Sequence, residues 1–265
     1  RMFACCACAG AADESVATVQ ADPHCGNENA APPLSSKECP RAEVVDSPPP
    51  PRVSVDTPQL SVEDTAWVAE VSSIIHGTPW VRTHASTPRS PIDKYKFTED
   101  SDPRVSIMGV GTSEGTSLAD FWDCMCFQDT EEFCRLMNQT DPMFKTGKVV
   151  KEDQYHRLYW GVFNAFPLCD RDFVWRSLEV KQGTRRIIAA SKSVESELMP
   201  APVASVVRGA INAGYLVEEA EDGNCCKIVY FCQVDPKDWV PTWIVNKVAS
   251  DQADNVTRIL NLIRR

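Results

Sequence analysis

The sequence predicts an α+β domain in which a curved antiparallel sheet is crossed by a long C-terminal helix. Two observations lead to this prediction. Apolar residues recur at helical spacing near residue 61, twice between residues 117 and 137, and again at the C-terminal end. Between residue 137 and the C-terminal helical region, apolar residues alternate with a period of two, which is typical of strands. The order is therefore helix, weak strands, two helices, many antiparallel strands and a terminal helix.

Residues 1–60 are predicted to form a disordered leader and semi-rigid spacer. Bulky apolar side chains are few between Ala30 and Leu60, where prolines stand among Ser, Glu and Ala. Such a segment cannot bury enough apolar surface to offset the entropy lost on ordering. Order is predicted to begin at Ser61, so the folded domain comprises residues 61–265.

The predicted helices begin at capping residues. Ser61, Ser117 and Asp129 are each followed by an acidic residue three positions later, which is an N-terminal capping pattern. Pro241 suits the first turn of the last helix. That helix carries a broken apolar stripe, formed by Val240, Ile244, Val248, Val256, Leu260 and Ile263.

The strands are predicted from alternating apolar residues between turns that contain Pro, Gly or charged residues. A weak strand region interrupted by prolines runs from Val81 to Val110. The stronger runs are 149–150, 155–166, 172–180, 186–194, 214–219 and 227–234. Both faces of the run from Leu158 to Phe163 carry bulky residues, so we expect one face to cover a cavity and the other a packed layer.

Charge and composition argue against several classes of partner. The formal net charge is −10, because 37 Asp and Glu residues outnumber 27 Lys and Arg residues. An acidic surface repels phosphate backbones, so nucleic acid is not an expected partner, and membrane contact should be brief or local. No window approaches the roughly 20 apolar residues that span a bilayer, and the first residues lack a secretory signal. We therefore expect a cytoplasmic protein that contacts membranes peripherally.

Neither catalysis nor metal binding is predicted. The four histidines stand outside any recognisable nucleophile or metal motif, and the sequence has no Gly-rich phosphate loop. We therefore expect no catalytic residue, no metal and no cofactor. The cysteines Cys5, Cys6 and Cys8 leave three alternatives: an unmodified tail, palmitoylation that anchors the chain to a membrane, or a metal site. The metal alternative lacks a regular finger spacing with His24 and Cys25.

Five short motifs resemble those of the START lipid-transfer family and occur in that family's order. They are Phe121-Trp122-Asp123, Pro167-Leu168-Cys169-Asp170-Arg171-Asp172-Phe173-Val174, Val206-Val207-Arg208-Gly209-Ala210, Cys232-Gln233-Val234-Asp235 and Val240-Pro241-Thr242-Trp243-Ile244-Val245-Asn246. The resemblance spans residues 61–265, with its specific part in the C-terminal half. One departure precedes the last motif, where Asp238 and Trp239 stand in place of the family's usual Gly. The resemblance implies a helix-grip fold, with a curved antiparallel sheet around a lipid tunnel and a long C-terminal helix as its lid.

The resemblance also implies a non-catalytic protein that binds one lipid molecule in the tunnel and transfers or senses it between membranes. The ligand would be a phospholipid, a sterol or a sphingolipid, and contact with the membrane surface would be transient. Two alternatives stay open. A helix-grip enzyme acting on a hydrophobic small molecule would need acid–base groups that converge inside the cavity. A START-like adaptor that binds protein would have an interior filled by side chains.

Six residues are candidates for lipid binding: Trp160, Arg171, Asp172, Arg208, Trp243 and Ile244. Arg171 and Asp172 either hold a headgroup or belong to an internal ion pair that ties the loop beside the lid to the sheet. Arg208 either binds a phosphate as a bidentate fork or has a structural role. The remaining three line the tunnel or only pack helix and sheet together. Phe166 and Leu168, on a predicted loop beside the lid, either insert into a bilayer or cover the core.

Overall fold

The computed structural model describes residues 59–264 except for 88–90, 100–101, 202, 204 and 239. The elements of this part of the chain follow in order. They are α1 (Val62–Gly77), β1 (Val81–His84), β2 (Ile92–Glu99), β3 (Asp102–Glu114), α2 (Leu118–Met125), α3 (Thr130–Thr140), β4 (Phe144–Lys151), β5 (His156–Phe163), β6 (Asp170–Gln182), β7 (Arg186–Ser193), β8 (Val206–Arg208), β9 (Ala210–Glu219), β10 (Cys225–Asp235), α4 (Thr242–Ala253) and α5 (Asn255–Ile263). The predicted leader lies outside the described residues, apart from Gln59 and Leu60.

The strands form one sheet in the order β1-β2-β3-β10-β9-β7-β6-β5-β4, with the short β8 beside β6. Every pairing is antiparallel except that of β8 with β6. β3 pairs with β10 although more than a hundred residues separate them, in a register that sets Ile107 opposite Cys232. The sheet thus joins the first part of the domain to its last strand.

Helix α1 covers one face of the sheet. Its N-cap is Ser61, whose hydroxyl accepts a hydrogen bond from the backbone N–H of Asp64 at 3.0 Å, as the capping pattern predicts. The buried side chains of Trp67 and Val71 then pack in a core cluster with residues of β3, β6, β7, β9 and β10. This face is therefore a packed layer.

Helices α2, α3 and α5 lie on the other face. Ser117 and Asp120 form a reciprocal capping box at the start of α2, and the Asp129 side chain caps α3 by accepting from the Glu132 N–H at 2.9 Å. α2 and α5 share a buried cluster with the inner side chains of β3, β7, β9 and β10. α3 packs on β4 and β5 through an aromatic cluster around Phe133.

The predicted long C-terminal helix is instead two shorter helices, α4 and α5, which meet at Asp254. The backbone N–H of Asp254 donates to carbonyls two and three residues earlier, a tighter turn than the α-helical one. Lys94 Nζ lies 2.8 Å from the Asp254 carboxylate and fixes the junction to β2. Gly109 on β3 admits the Ala253 carbonyl, since a Cβ there would lie 2.6 Å from that oxygen. The break falls in the gap of the apolar stripe seen in the sequence.

The predicted α+β class and helix-grip arrangement are confirmed, because helices lie across a large antiparallel sheet. Each of the stronger strand predictions falls on an observed strand. The strands predicted as weak between Val81 and Val110 are longer than expected, since β2 has 8 residues and β3 has 13. Strand β8 was not predicted, because it has only three residues. No helix of the described residues is long and apolar enough to cross a bilayer.

Candidate functional site

A cavity of about 490 Å³ lies between the sheet and helices α2 to α5. Strands β3, β10, β9, β7, β6 and β5 all contribute to its wall, so the sheet curves around it. Its volume falls within the roughly 300–1,000 Å³ of typical small-molecule sites. Most of the wall is apolar and includes Ile107, Met125, Phe133, Met137, Phe173, Ile211, Val248 and Ile259.

The cavity reaches the surface beside the loop that joins β5 to β6. Phe166 on this loop lines the cavity, yet 85% of its surface is exposed. Leu168 on the same loop is half-buried and also lines the cavity. Ile244 of α4 lines the same cavity, so the loop and the C-terminal helices both contribute to its wall.

Arg171 lines the cavity next to this loop. Its guanidinium donates to the carbonyl of Pro236 at 3.2 Å and to the carbonyl of Cys169. These bonds link the start of β6 to the segment that follows β10. Arg171 and Asp172 do not pair with each other, because adjacent residues of a strand point to opposite faces of the sheet.

Asp172, Arg208 and Trp160 form a polar cluster that does not line the cavity. The Asp172 carboxylate accepts two hydrogen bonds from the Arg208 guanidinium, at 2.8 and 2.7 Å, and one from Trp160 Nε1 at 2.9 Å. Burial alone raises the pKa of Asp172, but the hydrogen bonds from Arg208 and Trp160 outweigh it and hold the pKa below its usual range. The bidentate pair ties β8 to β6. This placement favours the structural alternative for all three residues.

The turn after β10 carries the departure from the family pattern. Lys237 and Asp238 both have φ near 52°, in the left-handed region that glycine adopts most readily. Asp235 stabilises the turn, because its carboxylate accepts from the Lys237 backbone N–H at 3.0 Å and from its Nζ at 2.7 Å. The chain therefore makes the turn without the family's glycine, supported by a local ion pair.

A buried polar group that was not predicted lies on the cavity wall formed by β5 and β6. The Glu179 carboxylate lies 2.7 Å from NH1 of Arg157 and accepts a hydrogen bond from the Tyr159 hydroxyl at 2.8 Å. Burial raises the pKa of Glu179 to about 7, against the opposing effect of Arg157. The sequence did carry a signal, since Glu179 stands an even number of residues from the inward-facing Phe173 and Trp175.

A second polar group, also not predicted, lies where α3 ends beneath the C-terminal helices. Asp141 is 5% exposed and lines the cavity. Its carboxylate accepts from the backbone N–H two residues later at 2.8 Å and from Gln252 Nε2 at 3.3 Å. Gln252 Oε1 lies 3.0 Å from Asn255 Nδ2 and 3.5 Å from the Tyr230 hydroxyl. Tyr230 stacks on Tyr215, with ring centroids 4.5 Å apart.

Some predicted residues fall where the structure gives no side-chain position. Trp243 is in α4, but its side chain is outside the described residues, as are Trp239 and the cysteines Cys5, Cys6 and Cys8. The described cysteines are free thiols. Within the same part of the chain, no group of three or more His, Cys, Asp or Glu side chains could hold a metal ion.

Comparisons with known proteins agree with this architecture. A family model described as "START domain" matches residues 144–262. Human STARD10 superimposes with a TM-score of 0.63 at 18% identity, covering 78% of this chain and 81% of that chain. Human StAR-related lipid transfer protein 5 gives 0.63 at 16% identity, over 76% and 95% of the two chains. The lipid transfer and protein localization domain of human StarD13 gives 0.55 at 22% identity, over 77% and 98%.

No curated protein sequence matches this chain. The segment matched by the family model runs from β4 into α5, and it includes the loop between β5 and β6, the polar cluster of Asp172 and both C-terminal helices. The structural similarity reaches further toward the N-terminus, because the superpositions above cover three quarters of the chain or more. Residues 144–262 therefore match the START domain family, and the described residues share the fold of these START structures.

Proposed function

We propose that this protein binds one lipid molecule in the cavity and transfers it between membranes or senses it there. The observation that supports this most directly is the mostly apolar cavity of about 490 Å³, much of whose wall belongs to the segment that matches the START family. Burying about 400 Å² of apolar lipid surface, at about 25 cal/mol per Å², favours binding by about 10 kcal/mol before the costs of association. A lipid held in this way leaves slowly into water, so exchange needs a membrane.

The opening of the cavity supports exchange at a membrane surface. Phe166 is largely exposed beside the opening, and Leu168 and Ile244 continue the apolar rim. An exposed aromatic at a rim can enter the interfacial region of a bilayer and shield the lipid as it passes. With a formal net charge of −10, the rest of the surface gives little attraction to anionic membranes, so the contact is transient.

The first test is native mass spectrometry of the protein purified from cells, followed by extraction and identification of bound lipid. We expect a one-to-one complex with a defined lipid class, and transfer of that lipid between vesicles. Phe166→Ser should slow transfer several-fold and leave the amount of bound lipid at equilibrium unchanged, because the residue acts at the opening. A protein that emerges empty and takes up neither phospholipid nor sterol would contradict the proposal.

An enzymatic function is the second candidate, because acid–base groups do converge at the cavity wall. A carboxyl group with a pKa of about 7, such as that of Glu179, suits proton transfer near neutral pH. Incubating the protein with its bound lipid and following the lipid's mass separates the two functions. A carrier returns the lipid unchanged, whereas an enzyme returns a new mass that Glu179→Gln abolishes.

A protein-binding adaptor is the less favoured alternative. It was expected to have an interior filled by side chains, and the cavity of about 490 Å³ does not meet that criterion.

A further inference from the structure

We propose that the polar group around Asp141 selects lipids whose head is a protonated amine without a phosphate. This inference rests on the proposed lipid-binding function and narrows the class of lipid. Its elements are a buried carboxylate, a fixed amide and a stacked pair of tyrosines on the wall of one cavity.

Asp141 is a buried carboxylate without a cationic partner among the described residues. Buried carboxylates are ordinarily paired with a cation, because an unpaired charge away from water is costly. Asp141 is 5% exposed, and among the described residues no cationic side chain forms an ion pair with it. Its hydrogen-bond donors are neutral, a backbone N–H and the amide of Gln252. The Arg258 guanidinium is bound elsewhere, to Asn255 Oδ1 at 2.7 Å and to the Asp251 carbonyl at 3.2 Å.

The groups around Asp141 are oriented by hydrogen bonds. Gln252 can only turn its amide nitrogen toward Asp141, because a carboxylate accepts and does not donate. Asn255 holds the other end of the Gln252 amide at 3.0 Å. Tyr215 and Tyr230 line the same cavity, and aromatic rings attract cations. An ammonium group would meet a carboxylate and aromatic rings together.

The charges on the cavity wall disfavour lipids that carry a phosphate. Three acidic residues, Asp141, Glu179 and Asp251, line the cavity. Arg171 is the one cationic residue among the described residues of the wall, and its guanidinium is bound to two backbone carbonyls. A phosphate inside would approach carboxylates at low dielectric without a free cation to balance it. The wall therefore disfavours an anionic head and favours a cationic one.

The test uses three probes with the same chain: octadecylamine, octadecanol and octadecyl phosphate, each carried in phosphatidylcholine vesicles. The full-length protein is incubated with the vesicles and separated from them, and the lipid it has extracted is measured by mass spectrometry. We expect the amine to be extracted about 10-fold more than the alcohol, a preference of about 1.4 kcal/mol, and the phosphate least of all. Asp141→Asn should abolish the preference for the amine over the alcohol.

The controls separate the site from the surface charge. Glu221→Gln changes the net charge by the same amount at an exposed residue and should keep the preference for the amine. If Asp141→Asn fails to fold, Tyr215→Leu provides a second variant, and we expect it to weaken the preference for the amine. Equal extraction of amine and alcohol by the wild-type protein, or a preference that survives in a folded Asp141→Asn, would overturn this inference and leave lipid carriage standing. If no probe is extracted, the proposed lipid-binding function fails as well.

Discussion

At the residue scale, the buried charges of this domain differ in what they face. Asp172 and Arg208 are bound to each other and join two strands, whereas Glu179 and Asp141 face the cavity. Asp172 and Glu179 are both on β6, an odd number of residues apart, so their side chains point to opposite faces of the sheet. An acidic side chain of β6 therefore joins two strands on one face of the sheet and lines the cavity on the other.

The ion pair of Asp172 gives a prediction for stability and its pH dependence. The side chain is 3% exposed, so Asp172→Asn should lower the free energy of unfolding at pH 7 by about 2 kcal/mol, measured by urea denaturation. The folded-state pKa is lowered, so this stability is present above the unfolded value of about 4 and is lost as pH falls through the folded value. Asp170→Asn, which breaks an exposed pair with Lys145, should cost under about 1 kcal/mol. Equal losses in the two variants would contradict this reasoning.

The sequence predicted site residues that belong to short motifs, but not those that depend on contacts between distant parts of the chain. Arg171, Ile244 and the loop residues Phe166 and Leu168 do line the cavity, because short motifs locate the opening. Asp141 was not predicted, since its partner Gln252 is 111 positions away and only the finished fold brings them together. Strand alternation reveals which face a residue occupies, but not what lies across the cavity.

At the element scale, α1 is attached to the sheet by a histidine bridge as well as by its apolar face. His156 at the start of β5 places one ring nitrogen 3.0 Å from Asp64 of α1 and the other 2.9 Å from Asp153. The charged neighbours on this side include Arg176 and Glu152, which pair with each other at 2.7 Å, and Glu63 of α1. Burial alone lowers the pKa of His156, but hydrogen bonds to Asp153 and Asp64 outweigh it and raise the pKa.

The bridge predicts a loss of stability at high pH. A histidine with a raised folded pKa contributes stability that is complete below its unfolded value of about 6.5 and is lost as pH rises through the folded value. Glu179 has a raised pKa and acts in the same direction, so the measurement belongs in a Glu179→Gln background. In that background, the free energy of unfolding measured by urea denaturation should be about 1 kcal/mol higher at pH 6 than at pH 8. Adding His156→Gln should remove that difference, and a difference that persists would show that the bridge contributes nothing.

The helices and strands themselves were largely predictable, with one informative exception. Capping residues such as Ser61 and Ser117 marked helix starts correctly because the capping bond is local. The break at Asp254 was not predicted, because it depends on Lys94 and Gly109, which reach the junction from β2 and β3. An apolar stripe shows which side of a helix packs against the sheet. A gap in the stripe becomes a break in the helix only when residues of the sheet contact and stabilise the junction.

At the scale of the whole molecule, the sheet separates a packed layer under α1 from a cavity under the other helices. Adjacent residues of β7 show the division. Ala189 lines the cavity opposite Tyr215, whereas Ala190 pairs with Gly214 and packs against the α1 cluster. Since both are alanines and both are buried, the difference between them is the space each one faces.

A phenylalanine at each position tests this division. Ala189→Phe places a ring in the cavity, so we expect lipid uptake from vesicles to fall several-fold with little change in the free energy of unfolding. Ala190→Phe overfills a packed layer in which that residue is 0% exposed, and should lower stability by about 1–3 kcal/mol while uptake per folded molecule stays at the wild-type value. Fluorescent-lipid uptake and urea denaturation measure the two effects separately. Ala189→Phe is the variant of the two that removes space from the cavity. If the folded Ala189→Phe protein took up as much lipid as the wild type, the lipid would have to bind outside this cavity.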